Sequence, residues 1–133
     1  MSSESRSRGL ADTTVFVARE SGRGLDVSRL PELLGISVIT IGELHAGVLA
    51  ASDLDTRTTR LRTLTEALAL DPIPIDGSVA EAWGGLRVRL RDSGLRMPVN
   101  DSWIAATALA HGLPVVTQDD DYVQLEGLDV VKV

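Results

Sequence analysis

Hydrophobic residues in this chain alternate between short runs of strand length and longer segments with helical spacing. The short runs lie at 10–17, 36–41, 114–117 and 128–133, and a proline-flanked run at 72–76 fits the edge of a sheet. In the segments between them, apolar residues recur every three or four positions, as on one face of a helix. This alternation predicts an α/β fold, a three-layer sandwich with a mostly parallel central sheet flanked by helices.

Helices are predicted in the segments where apolar residues recur with the period of an α-helix. One helix follows the first strand directly. Residues 43–51 place Leu44, Val48 and Ala51 on one face, and 53–70 repeats leucine at helical spacing. Three further helices are predicted at 78–93, 100–111 and 119–125.

Two of these helices contain residues that need an explanation. Gly84 and Gly85 lie inside the helix at 78–93, where each glycine costs roughly 1 kcal/mol relative to alanine. Close packing against a neighbouring helix would account for the pair, and we expect such packing there. Asn100 has the side chain of a good N-cap, so we expect it to begin the helix that Gly112 ends.

The length and composition of the chain are those of one domain. A chain of 133 residues with 44% hydrophobic residues is large enough for its own core, which we place at 9–133. The polar residues 1–8 are expected to form a flexible N-terminal tail. The absence of cysteine excludes disulfides and thiolate zinc sites, and two histidines are too few for a histidine-rich site. Hard oxygen ligands remain, and they favour Mg²⁺ or Mn²⁺.

The formal net charge of −6 argues against a protein that coats nucleic acid, since nonspecific binding depends on many lysine and arginine contacts. It does not exclude nucleic acid as a substrate, because bound cations reverse the local sign of an acidic site. The chain has no apolar run long enough to span a membrane, and no signal-peptide core follows its polar N-terminus. We therefore expect a soluble, cytoplasmic protein without a membrane partner.

Four acidic residues stand where a predicted strand or helix begins or ends: Asp12, Glu43, Asp101 and Asp119. In a parallel α/β sheet, ligand groups gather outside the carboxyl ends of the strands, so these side chains are expected to converge. Two unit charges about 4 Å apart repel by about 4 kcal/mol at an effective dielectric of about 20, so their convergence requires compensation. A divalent cation supplies this compensation at neutral pH, and the sequence therefore predicts a metal site.

Four sequence blocks around these residues resemble, in order and approximate spacing, the signature blocks of PIN-domain ribonucleases. The blocks lie at 10–16, 39–44, 99–106 and 116–122. Within that superfamily the chain resembles the VapC toxins of bacterial type II toxin–antitoxin pairs. The resemblance covers nearly all of the chain after its N-terminal tail and implies a PIN-like fold.

The resemblance also implies roles for individual residues. The acidic quartet that holds Mg²⁺ or Mn²⁺ in the family corresponds to Asp12, Glu43, Asp101 and Asp119. We expect Asp12 and Asp101 to be direct ligands and the other two to act largely through water. Further candidate contributors are Asp121, Thr14, Thr117 and Asn100, and the run 119–121 leaves open which aspartates face the metal. Tyr122 departs from the family, where phenylalanine is frequent at this position.

The activity implied by the resemblance is metal-dependent hydrolysis of RNA phosphodiester bonds by an endoribonuclease toxin. Similar toxins form homodimers and higher toxin–antitoxin assemblies, and a cognate VapB-type antitoxin neutralises them by crossing the catalytic groove. The apolar helices at 44–51 and 54–68 offer such a groove. Two alternatives stay open: a PIN-domain nuclease for RNA maturation or DNA cleavage, and a catalytically silent PIN-like binding module.

Overall fold

A four-stranded parallel sheet forms the centre of the protein. The computed structural model describes residues 6–133, and the strands within this range are β1 (Arg8–Ala11), β2 (Leu33–Ile36), β3 (Val115–Thr117) and β4 (Val130–Lys132). Their order across the sheet is β2-β1-β3-β4, and every neighbouring pair runs parallel. β1 and β3 are therefore the central strands, and their carboxyl ends lie side by side.

Helices connect the strands and cover both faces of the sheet. Within the described residues they are α1 (Thr13–Ser21), α2 (Val38–Ala50), α3 (Leu54–Leu68), α4 (Gly77–Asp92) and α5 (Val99–His111). Buried hydrophobic side chains form one cluster between the sheet and α1 to α3, and a second cluster between the sheet, α4 and α5. The three-layer α/β sandwich with a parallel central sheet is thus confirmed.

The central strands bury successive side chains in opposite layers. Leu10 and Val115 belong to the cluster beneath α4 and α5, whereas Ala11 and Val116 belong to the cluster beneath α1 to α3. All four side chains are fully buried. Because successive residues of a strand point to opposite faces, a strand covered on both sides has a continuous apolar sequence. This explains the unbroken hydrophobic runs from which the strands were predicted.

The second strand and the helix after it lie earlier in the chain than the sequence predicts. The expected strand at 36–41 is wrong, because α2 already begins at Val38. The hydroxyl of Ser37 accepts a hydrogen bond from the Ile39 amide (3.0 Å) and caps the helix. This cap outweighs the strand preference of the β-branched residues that follow. Glu43 consequently lies inside α2 and not at its start.

The inward faces of α2 and α3 were predicted with different success. α2 and its C-cap bury Leu44, Val48 and Ala51, as their spacing predicts. α3 also forms where it was expected, but it packs against the core through Leu64 and Ala67. The other leucines of the predicted stripe lie about half exposed or more; they are Leu54, Leu61 and Leu68. The leucine period therefore identified the helix but not the face that it buries.

Two predicted elements are irregular in the structure. The helix expected at 119–125 is wrong, because none of these residues is helical. The Asp119 carboxylate accepts a hydrogen bond from the Asp121 amide (2.9 Å), and such a side-chain turn competes with helix formation. The strand expected at 72–76 is reduced to a single bridge from Ile73 to the residue after β2, at the edge of the sheet.

The glycine pair of α4 faces solvent. Gly84 and Gly85 are exposed, and a methyl group added at either position would meet no atom within 4 Å. The expected close helix packing is therefore wrong. Nothing in the described residues explains the pair.

The first strand of the sheet begins at the last residue of the predicted N-terminal tail. β1 begins at Arg8, and the Ser7 carbonyl already accepts a hydrogen bond from the Leu33 amide (3.0 Å). The rest of the predicted tail, at 1–5, lies outside the described residues. No helix within residues 6–133 is long and apolar enough to cross a membrane.

Candidate metal centre

The carboxyl ends of the two central strands bring the first and last acidic blocks together. Asp12 follows β1 directly, and Asp119 follows β3 after a single glutamine. In the sheet Ala11, the last residue of β1, pairs with Val116, the last residue but one of β3. Both strands therefore end close together at the same edge of the sheet. Asp101 joins them from the first turn of α5, and Glu43 joins them from α2. All four acidic residues line one open cleft of about 410 Å³.

Asp12 lies at the bottom of this cleft, where hydrogen bonds hold its carboxylate. The residue is only 2% exposed. Its Oδ1 accepts hydrogen bonds from the Thr14 amide (3.0 Å) and hydroxyl (2.5 Å), and its Oδ2 accepts one from the Thr117 hydroxyl (2.6 Å). Burial raises the pKa of Asp12, and these hydrogen bonds oppose the rise. Asp12, Thr14 and Thr117 together form the cleft floor.

The two threonine hydroxyls also connect the cleft floor to the chain after β3. The Thr14 hydroxyl accepts a hydrogen bond from the Gln118 amide (2.9 Å), and the Thr117 hydroxyl accepts one from the Asp119 amide (2.9 Å). Each hydroxyl therefore donates to the Asp12 carboxylate and accepts from the backbone. The orientation of Asp12 is thus fixed by the fold itself.

Asp101, Asp119 and Asp121 form the cleft rim. One carboxylate oxygen from each lies within 4.8 Å of the others. Burial and, after it, the negative charges of neighbouring acidic groups raise the pKa of Asp101 to about 7. The charge of Asp119 likewise raises the pKa of the exposed Asp121. The rim therefore concentrates negative charge that its own residues do not neutralise.

The three consecutive aspartates of the last block have different surroundings. Asp119 and Asp121 approach Asp101, whereas the side chain of Asp120 is 94% exposed and pairs with Lys132. Of the three consecutive aspartates, Asp119 and Asp121 therefore turn toward Asp101. Asp120 lies outside the acidic cluster.

The charge of the cleft has no cationic partner within the described part of the chain. The ion pairs there join other residues, namely Arg19 with Glu66, Arg91 with Asp92 and Lys132 with Asp120. Carboxylates about 4 Å apart repel by roughly 4 kcal/mol at an effective dielectric of about 20. Mg²⁺ and Mn²⁺ prefer carboxylate oxygens and would remove this repulsion, so the residues of the cleft fit such an ion.

Glu43 is held at the side of the cleft by residues from two other helices. Its Oε1 accepts a hydrogen bond from the Thr13 hydroxyl (2.5 Å), and its Oε2 accepts one from the Asn100 side-chain amide (3.3 Å). The prediction that Asn100 caps α5 is wrong, because the helix begins at Val99 with Pro98 in the cap position. Pro98 has no side chain that could cap the helix, and the Asn100 side chain, inside the first turn, donates to Glu43 instead.

Three polar residues that line the cleft were not predicted from the sequence, namely Thr13, Arg23 and Gln118. Arg23 is exposed and is the one basic residue among those lining the cleft. The Gln118 side chain donates a hydrogen bond to the Gly24 carbonyl (2.9 Å) and thereby anchors the loop that carries Arg23. Thr13 and Gln118 lie inside the first and last acidic blocks and therefore carried a local signal. Arg23 lies outside the four blocks and reaches the cleft through a contact between distant parts of the chain.

Tyr122 lies behind the cleft with its hydroxyl directed toward the acidic side chains. The residue is 7% exposed, and its hydroxyl has no hydrogen-bond partner among residues 6–133. The hydroxyl faces the Asp12 carboxylate without reaching hydrogen-bond geometry. Burial and the negative charges of Asp12 and Asp101 raise the pKa of Tyr122 well above its ordinary value.

Comparison with known proteins identifies the family of this chain. Residues 10–128 match the family model described as PIN domain. The chain belongs to the PIN-domain family. The match includes all four residues of the acidic quartet, and it confirms the resemblance on which the sequence-based prediction rested.

Named relatives align with nearly the whole of this PIN domain. Ribonuclease VapC5 of Mycobacterium tuberculosis is 45% identical over 125 residues, which cover 94% of this chain and 93% of that protein. Ribonuclease VapC4 of the same organism is 46% identical over 127 residues, or 95% of this chain and 97% of that protein. Among solved structures, VapBC-5 from M. tuberculosis, a member of the VapBC family of toxin-antitoxin systems, matches with a TM-score of 0.87. Its sequence identity is 39%, and the match covers 96% of this chain and 99% of that one.

Proposed function

We propose that this PIN domain is a VapC-like endoribonuclease toxin that hydrolyses RNA phosphodiester bonds with Mg²⁺ or Mn²⁺. The observation that carries the proposal is the cleft in which four carboxylates meet without an ion-pair partner in the described chain. Relatives named ribonucleases align over almost its whole length. A catalytically silent binding module would not need all four carboxylates in one open cleft.

The proposed direct ligands of the cation are Asp12 and Asp101, with Asp119 and Glu43 acting through water. Asp12 offers its Oδ2, which accepts a single hydrogen bond in the cleft floor. Asp101 offers a carboxylate whose pKa is raised by burial and by neighbouring negative charges, and a cation would relieve that repulsion. When bound, the cation would generate a nucleophilic water at neutral pH and neutralise charge on the phosphate that is cleaved.

The surrounding residues orient these acidic groups. The cleft floor keeps Asp12 in one position through the hydroxyls of Thr14 and Thr117. Thr13 and Asn100 hold Glu43 at the side, where its carboxylate faces the cleft. In this proposal the neutral side chains orient the carboxylates, and the carboxylates supply the negative charge that binds the cation.

Arg23 is the proposed contact for the RNA backbone. A chain with a net charge of −6 needs local positive charge where a phosphate approaches an acidic cleft. Arg23 is exposed at this cleft and forms no ion pair within residues 6–133. A guanidinium group binds a phosphate through two parallel N–H donors. We assign Arg23 to a phosphate beside the one that is cleaved.

The proposed protein partner is a VapB-type antitoxin, since the solved relative VapBC-5 belongs by its description to a toxin-antitoxin family. A second groove of about 240 Å³ lies between α1, α2 and α3 and shares Thr13 and Glu43 with the acidic cleft. An antitoxin segment in this groove would extend over the acidic cleft and block RNA. We further propose a homodimer as the toxin unit and the cytoplasm as its location.

The test is cleavage of labelled total RNA by the purified protein in Mg²⁺, in a chelator, and as the variant Asp101→Asn. We expect cleavage in Mg²⁺, no cleavage in chelator, and a loss of about 100-fold in the variant. Asp92→Asn is the matched control, because Asp92 is exposed at the end of α4 and pairs with its neighbour Arg91. Cleavage that survives both the chelator and Asp101→Asn would reject the mechanism.

A second arm separates the toxin from a nuclease of RNA maturation. Purified VapB-type antitoxin, encoded beside the toxin, should stop cleavage at stoichiometric concentration. Cleavage that continues at full rate with the antitoxin present would favour the maturation nuclease.

A further inference from the structure

Tyr122 has its ring in the core and its hydroxyl at the edge of the acidic cleft. The ring belongs to the buried cluster beneath α4 and α5. Within residues 6–133, the hydroxyl oxygen is the one buried side-chain nitrogen or oxygen atom that has no hydrogen-bond partner. Such an atom needs an explanation, because nearly all buried polar atoms in folded proteins are paired.

Core packing does not account for the Tyr122 hydroxyl. Phenylalanine has the same ring and would fill the same space without burying a polar atom. A buried hydroxyl that has left water and found no partner is unfavourable. The direction of this hydroxyl is informative, because it faces Asp12 and lies near Asp101 and Asp119. Its natural partner is therefore a carboxylate of the cleft.

We propose that Tyr122 is a positioning residue of the metal centre, whose hydroxyl donates a hydrogen bond to the Asp12 carboxylate when a divalent cation is bound. This inference rests on the proposed function, because it requires that the cleft binds a cation. It goes further by assigning a role to a residue outside the acidic quartet.

The surroundings of Asp12 explain why this hydrogen bond depends on the cation. The hydroxyls of Thr14 and Thr117 already donate to Asp12, so the hydroxyl of Tyr122 is the remaining donor that faces it. The hydroxyl of Tyr122 faces Asp12 without meeting hydrogen-bond geometry, and the acidic groups of the cleft repel one another. A cation reverses this repulsion and draws the carboxylates together.

The expected consequence is a contribution to cation affinity. Carboxylates that bind a metal are usually held by further hydrogen bonds, and loss of such a bond weakens metal binding by about 10–100-fold. Among residues 6–133 the hydroxyl has no hydrogen-bond partner of its own. Its removal should therefore weaken cation binding without reducing the stability of the metal-free protein.

Isothermal titration calorimetry with Mn²⁺ alone, on the full chain and on Tyr122→Phe, tests the proposal. We expect the wild type to bind Mn²⁺ and the variant to bind it about 10-fold more weakly. The thermal unfolding midpoint of the metal-free variant, measured in chelator, should equal or exceed that of the wild type.

Thr107→Val is the matched control for the loss of a buried hydroxyl. The Thr107 hydroxyl is also buried, but it donates to the Trp103 carbonyl (2.8 Å) inside α5 and does not line the cleft. This variant should keep the Mn²⁺ affinity of the wild type. A weakened affinity in the control as large as that of Tyr122→Phe would overturn the assignment.

Two other results would also overturn it. One is equal Mn²⁺ affinity for the wild type and Tyr122→Phe. The other is a metal-free midpoint that falls together with the affinity, since the hydroxyl would then act on the fold. If the wild type binds no Mn²⁺, the proposed function fails and the inference fails with it, so the two failures are distinguishable.

Discussion

The cleft floor and the cleft rim both contain carboxylates, but the groups that surround these carboxylates differ. Asp12 in the floor is almost fully buried, yet three hydrogen bonds from Thr14 and Thr117 stabilise its carboxylate. Asp101 in the rim is less buried, yet burial and its acidic neighbours raise its pKa to about 7. Burial raises the pKa of both carboxylates, but the hydroxyl donors around Asp12 oppose the rise, whereas the acidic neighbours of Asp101 add to it.

This difference indicates a division of work in the folded protein. The floor is complete within the chain, because its donors come from elements on both sides of Asp12. The rim brings carboxylates together without a positively charged side chain that pairs with them, and we infer that a bound cation compensates their negative charge. Substitutions in the two regions should consequently change stability in opposite directions.

The largest effect on stability is expected from Thr117→Val, which removes a hydroxyl from the cleft floor. Valine has nearly the shape of threonine, but it removes a donor to Asp12 and an acceptor for the Asp119 amide. Because the site is fully buried, we expect the free energy of unfolding to fall by about 2 kcal/mol. Urea denaturation measures this change.

The control for this substitution is Thr65→Val. Thr65 is exposed on α3, and its hydroxyl bonds to the Leu61 carbonyl within the helix. Such a surface change should alter stability by no more than about 0.5 kcal/mol. Equal effects of the two substitutions would mean that the floor does not depend on Thr117.

The substitution Asp101→Asn in the rim should make the free energy of unfolding of the metal-free protein depend less on pH. The pKa of Asp101 is about 7 in the folded protein and 3.8 is its ordinary value. Because the folded state binds the proton more tightly, the unfolding free energy of the wild type falls as pH rises from about 4 to about 7. The fall then ends, since Asp101 is ionised in both states above this range.

The variant lacks the contribution of Asp101 to that fall. Asp12 and Asp121 also have raised pKa values, so part of the fall remains in both proteins. Urea denaturation in chelator between pH 4 and pH 8 should give a flatter curve for Asp101→Asn. Parallel curves for the two proteins would contradict the electrostatic description of the rim.

A smaller effect is expected from Arg23→Ala at the mouth of the cleft. Loss of an exposed guanidinium removes a phosphate contact but no part of the floor or rim, so KM should rise about fivefold while kcat changes little. Steady-state cleavage of a labelled RNA measures both constants. Arg91→Ala, at the end of α4, should leave them unchanged. A fall in kcat alone would place Arg23 in a different role.

The smallest effect is expected outside both regions, from Gly84→Ala in α4. The added methyl group meets no atom within 4 Å, and alanine favours a helix over glycine by up to about 1 kcal/mol. Thermal unfolding should show a modest gain in stability, and RNA cleavage should stay unchanged. A loss of stability would contradict the open surroundings of this position.

The parts of the site that sequence could predict depend on local signals. Asp12 follows an apolar strand and precedes a helix, and Thr14 lies two positions later, so one short block contains most of the floor. The topology rule for parallel sheets then places Asp119 at the same edge. These features need no knowledge of which helices pack together.

The parts that sequence missed depend on tertiary contacts or on ambiguous patterns. Glu43 is held by Thr13 and Asn100, which come from different helices, and no local pattern connects them. The apolar run after Ser37 fits a buried strand and a buried helix equally well, and a single cap decided between them. The direction of the Tyr122 hydroxyl likewise follows from packing.

Anomalous X-ray diffraction from crystals soaked in Mn²⁺ would test the central claim most directly, because it locates the ion among the carboxylates. The account predicts one or more peaks in the cleft within about 2.5 Å of carboxylate oxygens of Asp12 or Asp101, and their loss in Asp101→Asn crystals. A peak only at a distant surface, or no peak in crystals of a protein that cleaves RNA, would contradict it.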